Sequence, residues 1–196
     1  MPDAAPPTIT DLDALKVFTH PLRIALYRAL HTAGSATASQ LAEQVDEAVS
    51  LVSYHLRKLA AHGFVVAAPE LGTDGRERWW KPVSDKGWSF RSSDFLADPE
   101  GAMVVGQVTR QLLADRSERY RAYLDQQSAW PKAWTDAAFS AEYTPRLTSA
   151  ELAELEAELT AVVRRWQQRG EAAVAAGEVE GREHVAVQLY GFPSRP

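Results

Sequence analysis

The chain has no cysteine among its 196 residues. That absence excludes disulfides, thiolate metal sites and cysteine nucleophiles together. Long apolar runs are missing as well, and none approaches the ~20 residues that a membrane-spanning helix requires. The opening residues, MPDAAPPTIT, lack the basic start and apolar block of a secretory signal and read as a short disordered lead over 1–10. A cytoplasmic, membrane-free location is the expectation these absences leave. There is no glycine-rich phosphate loop, no GxSxG elbow and no HExxH pair. The Asp and Glu residues are scattered over helix faces expected to be solvated. No catalytic residue and no cofactor is therefore assigned, and an enzyme is not expected.

A general basic excess is also lacking. Net charge is −5, which argues against a non-specific polyanion binder. The charge is uneven, however. Residues 1–90 hold 9 Lys+Arg against 10 Asp+Glu, and residues 91–196 hold 12 against 16. Within 50–86 the balance reverses, with Arg57, Lys58, Arg76, Arg78, Lys81 and Lys86 against Glu70, Asp74, Glu77 and Asp85. Affinity for DNA would have to come from this small surface, doubled by dimerisation, and would be strongly salt-sensitive.

Apolar content of 45% is enough for a real core and for two small domains. Leu12, Leu15 and Phe18 mark a helix over 11–19, and Pro21 starts a second helix that Gly34 ends. Thr37 and Gln40 have capping-box spacing and open a third helix with Leu41 and Val45 inside. In the next helix Val49, Val52, Leu56 and Leu59 recur at spacings of three, four and three and are expected to face inward. Ala48 is a poor cap for it, so Asp46 is the expected substitute. Ser50, Ser53, Tyr54, Arg57 and Lys58 are left on the outer side. Hydroxyls, a phenol and cations suit a groove lined with phosphates and base edges.

Gly63 stops that helix, and a ribbon follows: FVVAAPE, a turn at LGTDG, then RERWWKPV. Whichever of Trp79 and Trp80 faces inward seals the ribbon against the helices. Arg76 and Arg78 lie near its tip, where they could reach a minor groove or phosphates; solvated hairpin charge is the plainer alternative. SSDFLADPEG reads as a hinge. A helix from about 99 to 127 carries Val105, Val108, Leu112, Tyr120 and Leu124 along a seam that Arg116 interrupts. Thr148 and Glu151 make a second capping box for a helix over 149–169, striped by Leu152, Leu155, Leu159, Val162, Val163 and Trp166. HVAVQLYGF alternates like a strand, with Phe139 to Leu147 its expected partner. The fold class is thus mostly α with a small β part (α+β).

HPLRIALYRAL, TASQLAEQV, SLVSYHLRKLAAHGFV and DGRERWWKPV together resemble the ArsR-type winged helix-turn-helix transcriptional regulators. RLTSAELAELEAEL and QLYGFP are similar to an actinobacterial branch of that family with an extended C-terminal region. The resemblance implies a winged helix-turn-helix DNA-binding domain over 11–90 and a dimerisation and effector region over 91–196. It further implies a homodimer, by family habit a repressor, on a roughly palindromic double-stranded operator with half-sites ~34 Å apart. Ser50, Ser53, Tyr54, His55 and Arg57 match recognition-helix positions, Arg76 and Arg78 the wing, and Thr37, Ser39 and Gln40 the preceding helix start.

Many relatives sense metal ions through cysteines, which are absent here. His20, His31, His55, His62 and His184 show no ligand pairing, so no metal site is expected. A signal would more plausibly be a small organic effector held by Trp130, Trp134, Tyr143 and Trp166. The plainer reading gives these aromatics to a small core and a dimer seam. The competing function is a protein-interaction module that keeps the winged-helix shape without binding DNA.

Overall fold

Local signals at each helix start account for the order of the first elements in the computed structural model, which describes residues 7–72 and 78–194. Asp11 caps helix α1 (Leu12–Lys16), its carboxylate accepting the Ala14 N–H at 2.8 Å. A 3₁₀ turn over Val17–Thr19 leads to His20, whose Nδ1 accepts the Leu22 N–H at 3.2 Å and caps α2 (Pro21–Ala33). Pro21 sits at N1, where its missing N–H has no helical partner to lose. Gly34 ends α2 at φ 72°, a conformation that glycine adopts without strain. Helices α3 (Ala38–Val45) and α4 (Val49–Ala61) follow.

Three short strands, β1 (Ala36–Thr37), β2 (Val65–Ala67) and β3 (Trp79–Pro82), form an antiparallel sheet in the order β1-β3-β2. The register pairs Ala36 and Ala67 with Trp80, on opposite sides of β3. Trp80 is the inward tryptophan, and Trp79 is only half-buried. The expected turn at Thr73-Asp74-Gly75 lies outside the described residues, as does Arg76. Strand β1 has no apolar alternation in the sequence, and its pairing with β3 could not be read there. The class is α+β, mostly helical, as the sequence indicates.

The core gathers Leu15, Leu26, Leu30, Leu41, Val52, Leu56, Leu59 and Val65 around Phe18. Phe18 stacks on Trp88 at 4.1 Å between centroids and meets Phe64 edge-on at 4.6 Å. Two expectations for loops are corrected here. The lead over 1–10 is tied down from Pro7 onward: Ile9 donates to the Ser89 carbonyl at 2.8 Å, Ser89 donates to that of Pro7 at 3.0 Å, and Ile9 is buried. The segment expected as a hinge is anchored by Phe95, which enters the core. In both places one large apolar side chain gains more from burial than the chain gains from mobility.

Asp98 caps α5 (Pro99–Asp125) by accepting the Gly101 N–H at 2.9 Å. Val104, Val105 and Val108 bury its first half against α1 and α2. Ion pairs Lys16–Glu100 (2.7 Å) and Arg28–Asp115 flank that contact. Tyr120 and Leu124, farther along the expected seam, stand exposed. The chain divides into two compact units, Met1–Gln127 and Ser128–Pro196, so α5 falls wholly in the first.

In the second unit α6 (Lys132–Ala137) precedes α7 (Ser149–Ala175), which runs six residues past the expected end at 169. Gly170 does not break it, since good helix formers resume at Glu171–Ala175. The capping box is formed, with Glu151 accepting the Thr148 N–H at 2.7 Å and donating its own N–H to Thr148 Oγ1 at 3.2 Å. The expected C-terminal β-pair is not: neither 139–147 nor 184–192 forms a strand. Val185, Val187 and Leu189 remain largely exposed, so the apolar face expected of a half-buried strand is not sealed. No helix among the described residues is long and apolar enough to cross a membrane.

A Cβ at Gly101 would run into the Phe95 carbonyl oxygen. Helix propensity alone would make Gly101→Ala stabilising by up to about 1 kcal/mol. The clash should win, and urea unfolding should show a net loss of about 1–3 kcal/mol. An unchanged midpoint would mean that the Phe95 loop yields freely.

Candidate nucleic-acid interface

The geometry of the turn between α3 and α4 begins with the cap of α3. Thr37 Oγ1 accepts the Gln40 N–H at 3.2 Å, and Gln40 Oε1 accepts the Thr37 N–H at 2.9 Å. Thr37 is thereby buried and fully occupied as a cap and β1 residue, whereas Ser39 and Gln40 are exposed beside it. At the far end Asp46 takes a left-handed conformation (φ 52°, ψ 50°) and donates its N–H to the Ala42 carbonyl. Asp46 therefore closes α3 and does not cap α4, contrary to the sequence expectation. The N-cap of α4 is Ala48, which makes no side-chain bond. Backbone N–H groups of the first turn are left open at the positive end of the helix dipole.

Along α4 the buried arc consists of Val52, His55, Leu56 and Leu59. Ser50, Tyr54, Arg57 and Lys58 are exposed on the opposite side, with Ser53 half-buried at its edge. Two sequence assignments are corrected. Val49 is 46% exposed, because in the first turn of α4 it lies at the rim of that arc. His55, matched to a DNA-contacting position, is only 3% exposed, since at 3.6 residues per turn it falls beside Leu56 and Leu59.

The cations of the outer face are held without carboxylates. Arg57 Nε donates to the Ser53 carbonyl at 3.1 Å, which lays the side chain along the helix. Lys58 Nζ lies 5.6 Å from the centroid of the Tyr54 ring. Arg78 lies 5.7 Å over Trp80, the residue that anchors β3. None of the three forms an ion pair among the described residues. Arg57, Arg78, Ser39, Ser53 and Val49 line one shallow concavity of about 340 Å³, floored by Thr37 and Trp80. The base of the wing and the recognition face of α4 thus meet in a single cationic hollow. A neighbouring hollow is lined by Glu43, Asp46 and Glu47 and shares only Ser39 and Val49 with the first. The surface is polarised, and a phosphate backbone is drawn to the Arg57–Arg78 side and repelled from the α3–α4 corner.

Behind α4 lies a group that sequence reading missed. The His20 and His55 rings sit 4.4 Å apart, and Tyr54 meets His55 edge-on at 5.1 Å. Arg23 from α2 is half-buried beside them, its Nε enclosed and unbonded, as is His55 Nδ1. Burial first, and then the charges of His20 and Arg23, hold His55 below its ordinary value. Burial and Arg23 do the same to His20, opposed by Glu47. Burial also lowers Arg23, opposed by Tyr54. Arg23 could have been suspected only as a cation one turn into a helix opened by His20-Pro21, which is a weak signal.

The aromatic residues expected around an effector are not brought together in an enclosed site. Trp130 and Trp134 meet edge-on at 6.4 Å and are half-buried, but Tyr143 is 85% and Trp166 59% exposed. No group of three or more His, Asp or Glu placed to hold a metal ion occurs among the described residues.

A tri-helical packing with an antiparallel wing, and a polar cationic face on the second helix of the pair, define a helix-turn-helix domain. Comparison agrees: residues 18–66 match a family described as a helix-turn-helix domain. The match spans α2, α3, α4 and the start of β2. No curated protein matches the chain at a significant level.

The two histidines give the domain a pH dependence with a definite sign. Folded, both hold the neutral form to lower pH than their ordinary value of 6.5, near which they take up protons when unfolded. The unfolded chain binds more protons, so their contribution is complete above that value and is lost as pH falls through the lowered folded values. Thermal melts at about pH 7.5 and about pH 5.5 should show a smaller acid loss for His55→Gln than for the unaltered chain. Equal losses would mean that His55 does not titrate with unfolding.

Proposed function

We propose that the protein is a sequence-specific double-stranded DNA-binding transcription regulator of the ArsR type, acting in the cytoplasm as a homodimeric repressor. The observation that carries this reading is the joint hollow of Ser39, Ser53, Arg57 and Arg78, in which helix α4 and the base of the wing offer donors with no carboxylate among the described lining residues. Helix α4 would lie in the major groove. Arg57, Ser50, Ser53 and Tyr54 are placed to meet base edges, with exposed Val49 suited to a thymine methyl. Arg78, Lys58 and the open N-terminal amides of α4 would hold phosphates. The domain 11–90 supplies this surface, and residues 91–196 would supply dimerisation and control. In that scheme a small organic effector releases the operator by favouring the DNA-incompetent form, with the paired Trp130 and Trp134 as its aromatic contacts.

Fluorescence anisotropy with an operator selected from random duplex tests the reading. Arg57→Ala should cost about 1–3 kcal/mol per half-site and relax preference at one base pair. Arg78→Ala should weaken all duplexes alike and lower the slope of log K against log salt by about one per half-site. Unchanged affinity in both variants would remove the assigned face and favour a winged-helix module that binds protein.

A further inference from the structure

None of the described residues of the second unit is buried, although it contains three tryptophans and a 27-residue helix with an apolar stripe. Leu152, Leu155, Leu159, Val162 and Trp166 follow one another at spacings of three, four, three and four. This 3.5-residue period makes a straight seam for a second helix. The extended C-terminal segment meets its first turn, where Gly191 approaches Leu152. Leu159, Val162 and Trp166 remain 40%, 42% and 59% exposed. Arg169, the next seam position, lies 4.9 Å over the Trp166 ring.

The charges beside the seam say what covers it. Its first half is flanked by Glu151, Glu156 and Glu158, and its second half by Arg165. We propose that α7 pairs antiparallel with α7 of a second copy, about a two-fold axis near Thr160–Ala161. In heptad terms Glu151, Glu158 and Arg165 share one flank of the seam, and Glu156 lies on the other. A parallel pair in register would set Glu151 against the partner's Glu156, two like charges. The antiparallel pair instead sets Glu158 beside the partner's Arg165, twice by symmetry, and places the Arg169 cation near the partner's Glu151. The acidic N-terminal half and the basic C-terminal half are thus complementary only head to tail. Opposed helix dipoles favour the same orientation. This pairing rests on the homodimer in the function proposed above and specifies its contact in the second unit. It would enclose Leu159, Val162 and Trp166 and give that unit the buried centre it lacks alone.

Sedimentation velocity of the full chain at micromolar concentration, with far-ultraviolet circular dichroism as a control for folding, tests the pairing. Glu158 and Arg165 are both exposed, so their substitution leaves the helix intact. Glu158→Arg and Arg165→Glu should each weaken self-association about tenfold or more, and the double exchange should restore it. The absence of native cysteine allows a single spin label at Ala172→Cys, an exposed position beside the seam and near one end of the helix. Antiparallel helices put the two labels roughly 35 Å apart, against roughly 15–20 Å for parallel ones. A dimer indifferent to both charge reversals, or a short label distance, overturns the antiparallel pairing and leaves the homodimer standing. A monomeric unaltered chain overturns both.

Discussion

Burial of Val52, Leu56 and Leu59 under α4 is the contact on which the rest of the DNA-facing geometry depends. Each of these side chains is fully buried, and each contributes roughly 1.5–3 kcal/mol when removed from water. A 13-residue helix is marginal by itself, so α4 exists because α2, α3 and β2 accept this ridge. Once the ridge is fixed, helical periodicity leaves Ser50, Tyr54, Arg57 and Lys58 no direction but outward. The recognition face follows from the core and needs no separate cause. Trp80 extends the same logic to the wing, because its burial brings Arg78 alongside Arg57.

A net charge of −5 is compatible with this role because the charges are segregated. Near physiological ionic strength exposed charges are felt over only ~8 Å, so the local sign matters more than the total. Arg57 and Arg78 share a hollow with no carboxylate in its lining among the described residues, while Glu43, Asp46 and Glu47 line the adjoining corner. For a duplex held as proposed, that corner would oppose non-specific attraction. The His20–His55–Arg23 group behind α4, of which only His55 is fully buried, links the position of this face to protonation, since charging either imidazole would place a cation beside Arg23.

The first unit was largely legible in the sequence because its signals are local. Capping at Thr37, the proline at 21, the stops at Gly34 and Gly63 and the inner ridge of α4 all act within a few residues. What escaped depends on contacts distant in sequence. Strand β1 is two residues long and exists only because β3 pairs with it. His55 resembles a surface polar residue until the neighbouring His20 and Arg23 are placed. Phe95 and Ile9 lie in stretches dominated by polar and small residues, where composition suggests mobility. Val49 fits the apolar spacing but falls at the rim of the buried arc. In the second unit the period of α7 was readable, whereas the expected strand pair did not form and its apolar side chains stay largely exposed.

On the proposed function, DNA is held by the outer face of α4 and the base of the wing. Amide hydrogen exchange, measured with and without a selected operator duplex, tests it most directly. The uncapped first turn of α4 (Val49, Ser50 and Leu51) exchanges readily in the free protein and should slow markedly in the complex, together with Arg78. Protection confined to other segments, or exchange unchanged at 49–51 when duplex is bound, would contradict it.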